Sequence, residues 1–487
     1  MNAKCKHEDA IQKAEKAMWE LNRQAKSDPR RMKFHMSQPG GWINDPCGLI
    51  DFNGKYHVFY QLNPYAPEWA KMHWGHMIST DLVHWETLPI ALAPSEVYDL
   101  EDEGGVFTGT AVAYHEKLTI IYCGSTFKNG VLSQVQCLAD TEDGVHFTKY
   151  EQNPVLSERP AEATEDFRDP YVFQDEGKWY MVLGTCKDHC GKALLYSSDD
   201  LKEWIYQGVL AKGGGDLGEM WECPNLLRFG TRGALIYSPM FSERKSCYLS
   251  GPLDLKKTSL EIEKIGVADA GLNFYAPQCF QDATGRTLLI GWISPWAQKG
   301  APTADCEWCG SLTLPREVRM EKNGTLTFHP IPELKSLRDG EEQFRNILVT
   351  DGNLSLGKGG ECLEIELCFD LMKTDALKFG IKVRCAKDGS EETLIYYNNK
   401  VKELVFDRDY AGGNFPGIVA VRCEPDGPKL QMHLFVDTSC VELFANDGAL
   451  CMTNTIYPSE TSTEVKLFAE NGSVLADFVN IYHLDQI

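Results

Sequence analysis

The sequence predicts an all-β protein: a five-bladed β-propeller followed by a C-terminal β-sandwich, with a short helix in front. Three observations carry that prediction. One hairpin pattern returns five times between residues 49 and 292. A shorter motif, an aspartate four residues ahead of an aromatic, follows the first three copies. Beyond residue 340 the chain becomes a series of short alternating segments separated by turn residues.

The first element is MNAKCKHEDAIQKAEKAMWELN. It is charged throughout and lacks the apolar stretch of a signal peptide. Ile11, Ala14, Met18 and Leu21 recur at helical spacing, which predicts an amphipathic helix docked on the domain behind it, within an extension over residues 1–30. The hairpins follow: LIDFNGKYHVFYQ (49–61), VAYHEKLTIIYCG (112–124), VFQDEGKWYMVLG (172–184), LLRFGTRGALIYS (226–238) and CFQDATGRTLLIGW (279–292). Each is an apolar strand, a polar turn and a strand rich in β-branched and aromatic residues. The turns centre near Gly54, Glu116, Gly177, Gly230 and Gly285, a period of roughly 53 to 62 residues. STDLVHW, TEDGVHF and SSDDLKEW place Asp81, Asp143 and Asp200 ahead of Trp85, Phe147 and Trp204, as suits the tight turn of an outer hairpin. A multi-strand unit repeated at this period is a propeller blade, and five copies predict five blades over residues 31–327. An irregular sandwich with chance hairpins would not keep the spacing five times. FHPIPELKSLR opens a Pro-bounded linker, residues 328–340. LEIELCFDL, LKFGIKVRC, TLIYYN, KELVFDR, LQMHLFVD, VELFAND, TEVKLFAEN and LADFVNIYHL then alternate as the strands of a sandwich over residues 341–487.

Within this frame the acids acquire positions. Asp45, in GWINDPCG, lies nine residues before its turn at Gly54; Asp169, in FRDPYV, lies eight before Gly177; Glu222, in MWECPNL, lies eight before Gly230. All three fall at the start of the strand leading into a hairpin. The innermost strands of a propeller line its axis, so the three carboxylates should converge at one end of the channel, with Thr108 and the Tyr275–Pro277 stretch supplying the equivalent positions of the other two blades. Pro46 biases Asp45 toward an extended conformation. Clustered carboxylates raise one another's pKa and are costly without a purpose. Glycoside hydrolysis supplies one, because it needs a carboxylate that attacks or stabilises and a second that stays protonated near neutral pH. Glu222, behind Trp221 and opposed by two acids, reads as the proton donor, Asp45 as the nucleophile, and Asp169, beside Arg168, as a carboxylate that stays ionised.

The composition narrows the partners. With 48 basic and 70 acidic side chains in 487 residues the formal charge is −22, which disfavours nucleic acid and anionic membranes. No apolar run approaches the roughly 20 residues of a membrane span. Seventeen cysteines, an odd and scattered set, read as reduced thiols, and the expectation is a cytoplasmic enzyme. Oligomeric state is not legible.

The motifs resemble glycoside hydrolase family 32, the invertases, fructanases and sucrose-6-phosphate hydrolases. GWINDPCG is similar to the family's WMNDPNG signature. YQLNP (60–64), MHWGHMISTDLVHWE (72–86), FTGTAV (107–112), FRDP (167–170), WECPN (221–225), NFYAPQ (273–278), GWISPW (291–296) and LTLPRE (312–317) follow in family order. The resemblance implies Asp45 as nucleophile, Glu222 as acid/base and Asp169 as transition-state stabiliser. It implies that Trp42, Asn44, Gln61, Trp69, Phe107, Thr108, Arg168 and Trp296 line a fructose subsite. The implied reaction is a retaining double displacement on a β-linked fructofuranosyl group, with no metal and no cofactor. Three positions depart from the family: Cys47 for asparagine, Thr108 for serine and Asn273 for aspartate. Two rival readings are an inverting arabinan- or xylan-cleaving propeller, disfavoured by the NDP and ECP motifs, and a sugar-binding propeller without catalysis, disfavoured by the retained carboxylates. A zinc reading of Cys306–Cys309 and of Cys186, His189 and Cys190 has no second pair at zinc spacing to support it.

Overall fold

The computed structural model describes residues 3–100, 104–128, 130–240, 246–295, 301–425 and 427–486. Five sheets of four or five strands, antiparallel but for one two-residue pair, form the blades of a propeller, and a sixth sheet of ten strands forms a separate layered unit behind them. The blades, numbered I to V in chain order, begin with the inner strands Gly41–Phe52, Gly105–Tyr114, Phe167–Asp175, Met220–Phe229 and Phe274–Gln281.

Each predicted hairpin is the inner pair of a blade. Blades I to III turn at Asn53–Gly54, His115–Glu116 and Glu176–Gly177 with positive φ at both central residues, from 47° to 79°. That conformation matches the right-handed twist of the flanking strands. The aspartate motif forms the outer turns. Asp81 Oδ1 accepts the backbone N–H groups of Val83 (2.9 Å) and His84 (2.8 Å), and Asp143 and Asp200 do the same two and three residues on. These bonds satisfy the turn backbone while Phe147 is buried and Trp204 Nε1 donates to Leu201 O.

The ring is closed by two residues. Trp308 and Cys309 pair in parallel with Gly41 and Trp42, joining the connection between the second and third strands of blade V to the free inner edge of blade I. Cys309 is therefore a buried ladder residue, and Cys306 Sγ accepts from Arg30 Nη2 at 3.2 Å. In the other cysteine motif Lys187 stands opposite Cys190 and Cys186 opposite Gly191, so the two thiols project to opposite faces of one hairpin.

The helix Ala3–Ala25 buries His7, Ala14, Met18 and Ala25, with Ile11 and Leu21 half-buried beside them. It docks on blade I: Ala93 N donates to His7 Nε2 and Ile90 N to Glu15 Oε1, both at 3.1 Å. The last propeller strand, Leu326–Pro330, leads through a short 3-10 turn, Pro332–Leu337, to the strand Arg338–Leu356. That strand pairs along its length with Glu464–Leu484. The first part of Glu464–Leu484 pairs with Lys378–Cys385 and the later part with Leu363–Asp370, so these two long strands pass from one layer of a sandwich to the other. The layers close on an apolar core that includes Phe369, Phe379, Leu434 and Ile481. Glu364, Glu366 and His433 converge on this sandwich, but Arg338 donates to both carboxylates and His433 shares Glu364, so their acceptor oxygens are taken up by side chains.

Propeller and sandwich meet through fully buried charges. His35 Nδ1 bonds Asp437 Oδ2 at 2.8 Å and its Nε2 bonds Glu442 Oε1 at 3.0 Å. Arg316 bridges Glu442 (2.6 Å) and Asp269 (2.8 Å). Burial opposes charge on His35, yet Cys440, Asp437 and Glu442 outweigh it and hold the imidazole well above its ordinary pKa.

Candidate active site

All five inner strands carry a one-residue bulge at the same level. The register slips between Ile43 and Pro46, Phe107 and Gly109, Arg168 and Tyr171, Glu222 and Asn225, and Tyr275 and Gln278. In four of them the slip includes a proline (Pro46, Pro170, Pro224, Pro277), which has no N–H to offer a ladder and is tolerated at a bulge. Asp169, Cys223 and Ala276 take left-handed backbone there, with φ of 61°, 48° and 46°. Strained residues of this kind cluster at functional sites, and a bulge re-aims the side chain it carries. Here the re-aimed side chains are the predicted ones: Asp45, Thr108, Asp169 and Glu222, with Tyr275 from blade V.

These side chains touch. Thr108 Oγ1 donates to Asp45 Oδ2 at 2.7 Å and Asn44 Nδ2 to Asp45 Oδ1 at 3.0 Å, while Trp42 Nε1 holds Asn44 Oδ1 at 2.8 Å. The Cys223 thiol lies 3.4 Å from Asp45 Oδ2 and 3.7 Å from Asp169 Oδ2, so one sulfur spans two carboxylates. Burial, reinforced by Asp45 and Asp169, pushes that thiol well above its ordinary pKa, which keeps it a donor. Cys223 N also donates to Asp169 Oδ2 at 2.9 Å. Glu222 receives Arg168 Nη2 at 2.9 Å on Oε1 and the Tyr275 hydroxyl at 2.6 Å on Oε2. Arg168 also pairs with Asp166.

Burial dominates the acidities. It raises Asp45 against the donors Asn44, Thr108 and Cys223, with Glu222 adding to the rise. It pushes Asp169 up to about 7 against Arg168, with Glu222 and Asp45 on its side. Two sequence-based expectations fail here. Asp169 is not held in the ordinary carboxylate range by Arg168, because the guanidinium bonds Glu222 and Asp166 while burial desolvates Asp169. Trp221 does not flank the Glu222 carboxyl either. Alternation along the strand sends its ring to the other face, where it stacks on Tyr237 at 4.2 Å and donates to Leu217 O.

The remaining predicted positions surround this centre. Trp42 is buried edge-on to Trp292 at 5.5 Å. Gln61 is buried and donates to Val106 O. Trp69 is 46% exposed and meets the Phe107 ring edge-on at 6.0 Å, forming an apolar rim. Trp296 lies outside the described residues. Cys47 is fully buried among Phe59 and Trp74, where its thiol is raised by burial. Sequence reasoning missed Cys223 and did not assign Tyr275; the signal was present, since both stand in the stretches singled out in blades IV and V.

A five-bladed propeller with carboxylates, a guanidinium and a phenol gathered at one end of its axis is the framework of a glycoside hydrolase. The chain belongs to glycoside hydrolase family 32: residues 35–330 match the glycosyl hydrolases family 32 N-terminal domain and residues 333–483 the family 32 C-terminal domain. It is 35% identical over 492 residues to a sucrose-6-phosphate hydrolase of Zymomonas mobilis, covering 96% of this chain and 94% of that protein. It is 35% identical over 459 residues to a raffinose invertase of Escherichia coli, covering 91% and 92%. A β-fructofuranosidase of Bombyx mori solved with sucrose superposes with a TM-score of 0.85 at 30% identity, over 98% of this chain and 99% of that one. The sucrose-6-phosphate hydrolase of Lactobacillus gasseri gives a TM-score of 0.86 at 26% identity, over 97% and 96%.

Proposed function

We propose that this protein is a retaining β-fructofuranosidase that removes terminal non-reducing β-D-fructofuranosyl groups from sucrose, sucrose 6-phosphate or short fructo-oligosaccharides. The observation that carries the reading is the meeting of three carboxylates on equivalent bulges. In this reading an Asp45 oxygen attacks the fructosyl anomeric carbon as the bond to the leaving oxygen breaks, and Glu222 gives that oxygen its proton. Glu222, now ionised between Arg168 and Tyr275, takes a proton from water, whose oxygen displaces Asp45 and restores the enzyme. Asp169 grips fructosyl hydroxyls, and Asn44, Gln61, Trp42, Trp69, Phe107 and Thr108 shape the subsite around the sugar. The relatives' sucrose-type substrates support this choice of glycoside.

We assign these steps to the propeller, residues 31–327, and treat the extension (1–30), linker (328–340) and sandwich (341–487) as its supports. The free thiols of the sixteen cysteines from Cys47 to Cys451 support a cytoplasmic setting, and among the described residues no helix is long and apolar enough to cross a membrane. The test is the first-formed product anomer, followed by NMR during sucrose cleavage. Double displacement releases β-fructofuranose; initial release of the α-anomer would overturn the mechanism. A kcat/KM series over sucrose, sucrose 6-phosphate, kestose and inulin then fixes the leaving group.

A further inference from the structure

The sandwich reaches toward the site through one buried cation. Arg408, on the strand Glu403–Tyr410, is 1% exposed. Its Nη1 donates to Asn273 Oδ1 at 2.7 Å, to Thr455 O at 2.7 Å and to Thr455 Oγ1 at 3.0 Å. Its Nε and Nη2 have no hydrogen-bond partner among the described residues. A desolvated guanidinium with no carboxylate on it is costly. Among the described residues, its hydrogen bond across to the propeller goes to Asn273.

Asn273 stands immediately before the inner strand of blade V and is held on every side. Its N donates to Thr453 O at 3.1 Å, its Nδ2 to Ser294 O at 2.6 Å, and its carbonyl accepts from Ser294 N at 2.9 Å. The residues ahead of it run along the sandwich strand Leu450–Thr455: Ala270 N donates to Cys451 O, and Leu272 N to Asn454 Oδ1. A Cβ on Gly271 would stand 2.1 Å from Thr453 O, so only glycine allows so close an approach. Two residues beyond Asn273, the Tyr275 hydroxyl donates to Glu222. Tyr275 is seated against Trp292 at 6.5 Å, and Ala276 follows it at φ 46° with its N–H on Ser238 Oγ. A segment this constrained passes a displacement of Asn273 on to the phenol.

We propose that Arg408 is a positioning residue for Glu222: the sandwich fixes Asn273, Asn273 fixes the take-off of blade V, and Tyr275 thereby aims the carboxyl that protonates the leaving group. The proposal rests on Glu222 acting as acid/base. Small misplacements of a catalytic group cost up to about a hundredfold in rate, so a relay of this kind should be read in kcat.

The experiment compares Arg408→Met, Tyr275→Phe and the double variant on sucrose and on an aryl β-fructoside with an acidic phenol as leaving group. Arg408→Met should lower kcat on sucrose about tenfold with KM within about twofold, and should spare the aryl substrate, whose leaving group needs little protonation. The double variant should be no slower than Tyr275→Phe, because two residues on one relay are not additive. Losses that multiply, equal losses on both substrates, or a rise confined to KM would overturn it. If Arg408→Met does not fold, Asn273→Ala, which removes the acceptor, carries the same comparison. Glu222→Gln is run alongside. If it fails to separate the two substrates, the acid/base reading falls; if it separates them and Arg408→Met does not, only the relay falls.

Discussion

Replacing His35 by glutamine tests the charged seam between propeller and sandwich. The imidazole is fully buried between Asp437 and Glu442, 2.8 and 3.0 Å away. Breaking one partner out of a buried ion pair costs about 3–5 kcal/mol, because the other charge is left uncompensated. Both acids keep other donors: Asp437 has the backbone N–H groups of Lys33, Phe34 and Thr438, and Glu442 has Arg316 and Leu314 N. The lower end, about 3 kcal/mol, is therefore expected for His35→Gln at pH 6. The pH dependence carries more information. His35 has a folded pKa raised above its unfolded value, so its stabilisation is complete below about pH 6.5 and declines as pH rises toward the folded pKa. Urea denaturation followed by tryptophan fluorescence, at intervals from pH 6 to 9, should show the gap between wild type and variant shrinking by about 1.4 kcal/mol per pH unit above the unfolded pKa. A gap that stays constant from pH 7 to 9 would mean that His35 is neutral in the folded protein, and the ion-pair account of the seam would be wrong.

Other outcomes follow from the site. Asp45→Asn should cut kcat by several orders of magnitude with little change in melting temperature, and retention of more than about a tenth of the activity would remove it as nucleophile. Glu222→Gln should nearly abolish sucrose cleavage yet be rescued by azide on an activated fructoside, whereas Asp169→Asn should slow all substrates alike and gain nothing from azide; the reverse pattern would exchange their roles. Thr108→Val removes a donor to the Asp45 carboxylate, so the acidic limb of the kcat/KM profile should move up by about one to two pH units; an unmoved limb would show that this limb does not report Asp45.

The fold was legible because its signals are local and repeated. A short turn between alternating strands announces itself five times, two residues long in blades I to IV and five in blade V, and the Asp-to-aromatic spacing marks three outer turns. The three acids were legible because symmetry carried a sequence offset into a spatial meeting. The wiring among them was not. Whether Arg168 bonds the adjacent Asp169 or a glutamate in the next blade depends on a bulge that rotates one side chain past its neighbour, and no periodicity encodes that. The same bulge makes Cys223 a bridge between two carboxylates. Trp221 misled for the converse reason: adjacency in a strand separates two side chains rather than joining them. The grip of the sandwich on Asn273 joins segments far apart in sequence, and nothing in either stretch points to the other.

The two-residue pairing of Trp308 and Cys309 with Gly41 and Trp42 also sets an order of events. The strand that carries Asn44 and Asp45 is made early, yet its free inner edge stays open until chain nearly 270 residues later arrives to cover it. During synthesis, blades I to IV and the inner hairpin of blade V are made before that cover, and the inner edge of blade I is open to neighbouring chains through that interval. Sealing the ring and completing the pocket are therefore one step. A chain stalled short of residue 308 is an open fan with an unprotected edge, and activity should appear abruptly on closure rather than grow blade by blade.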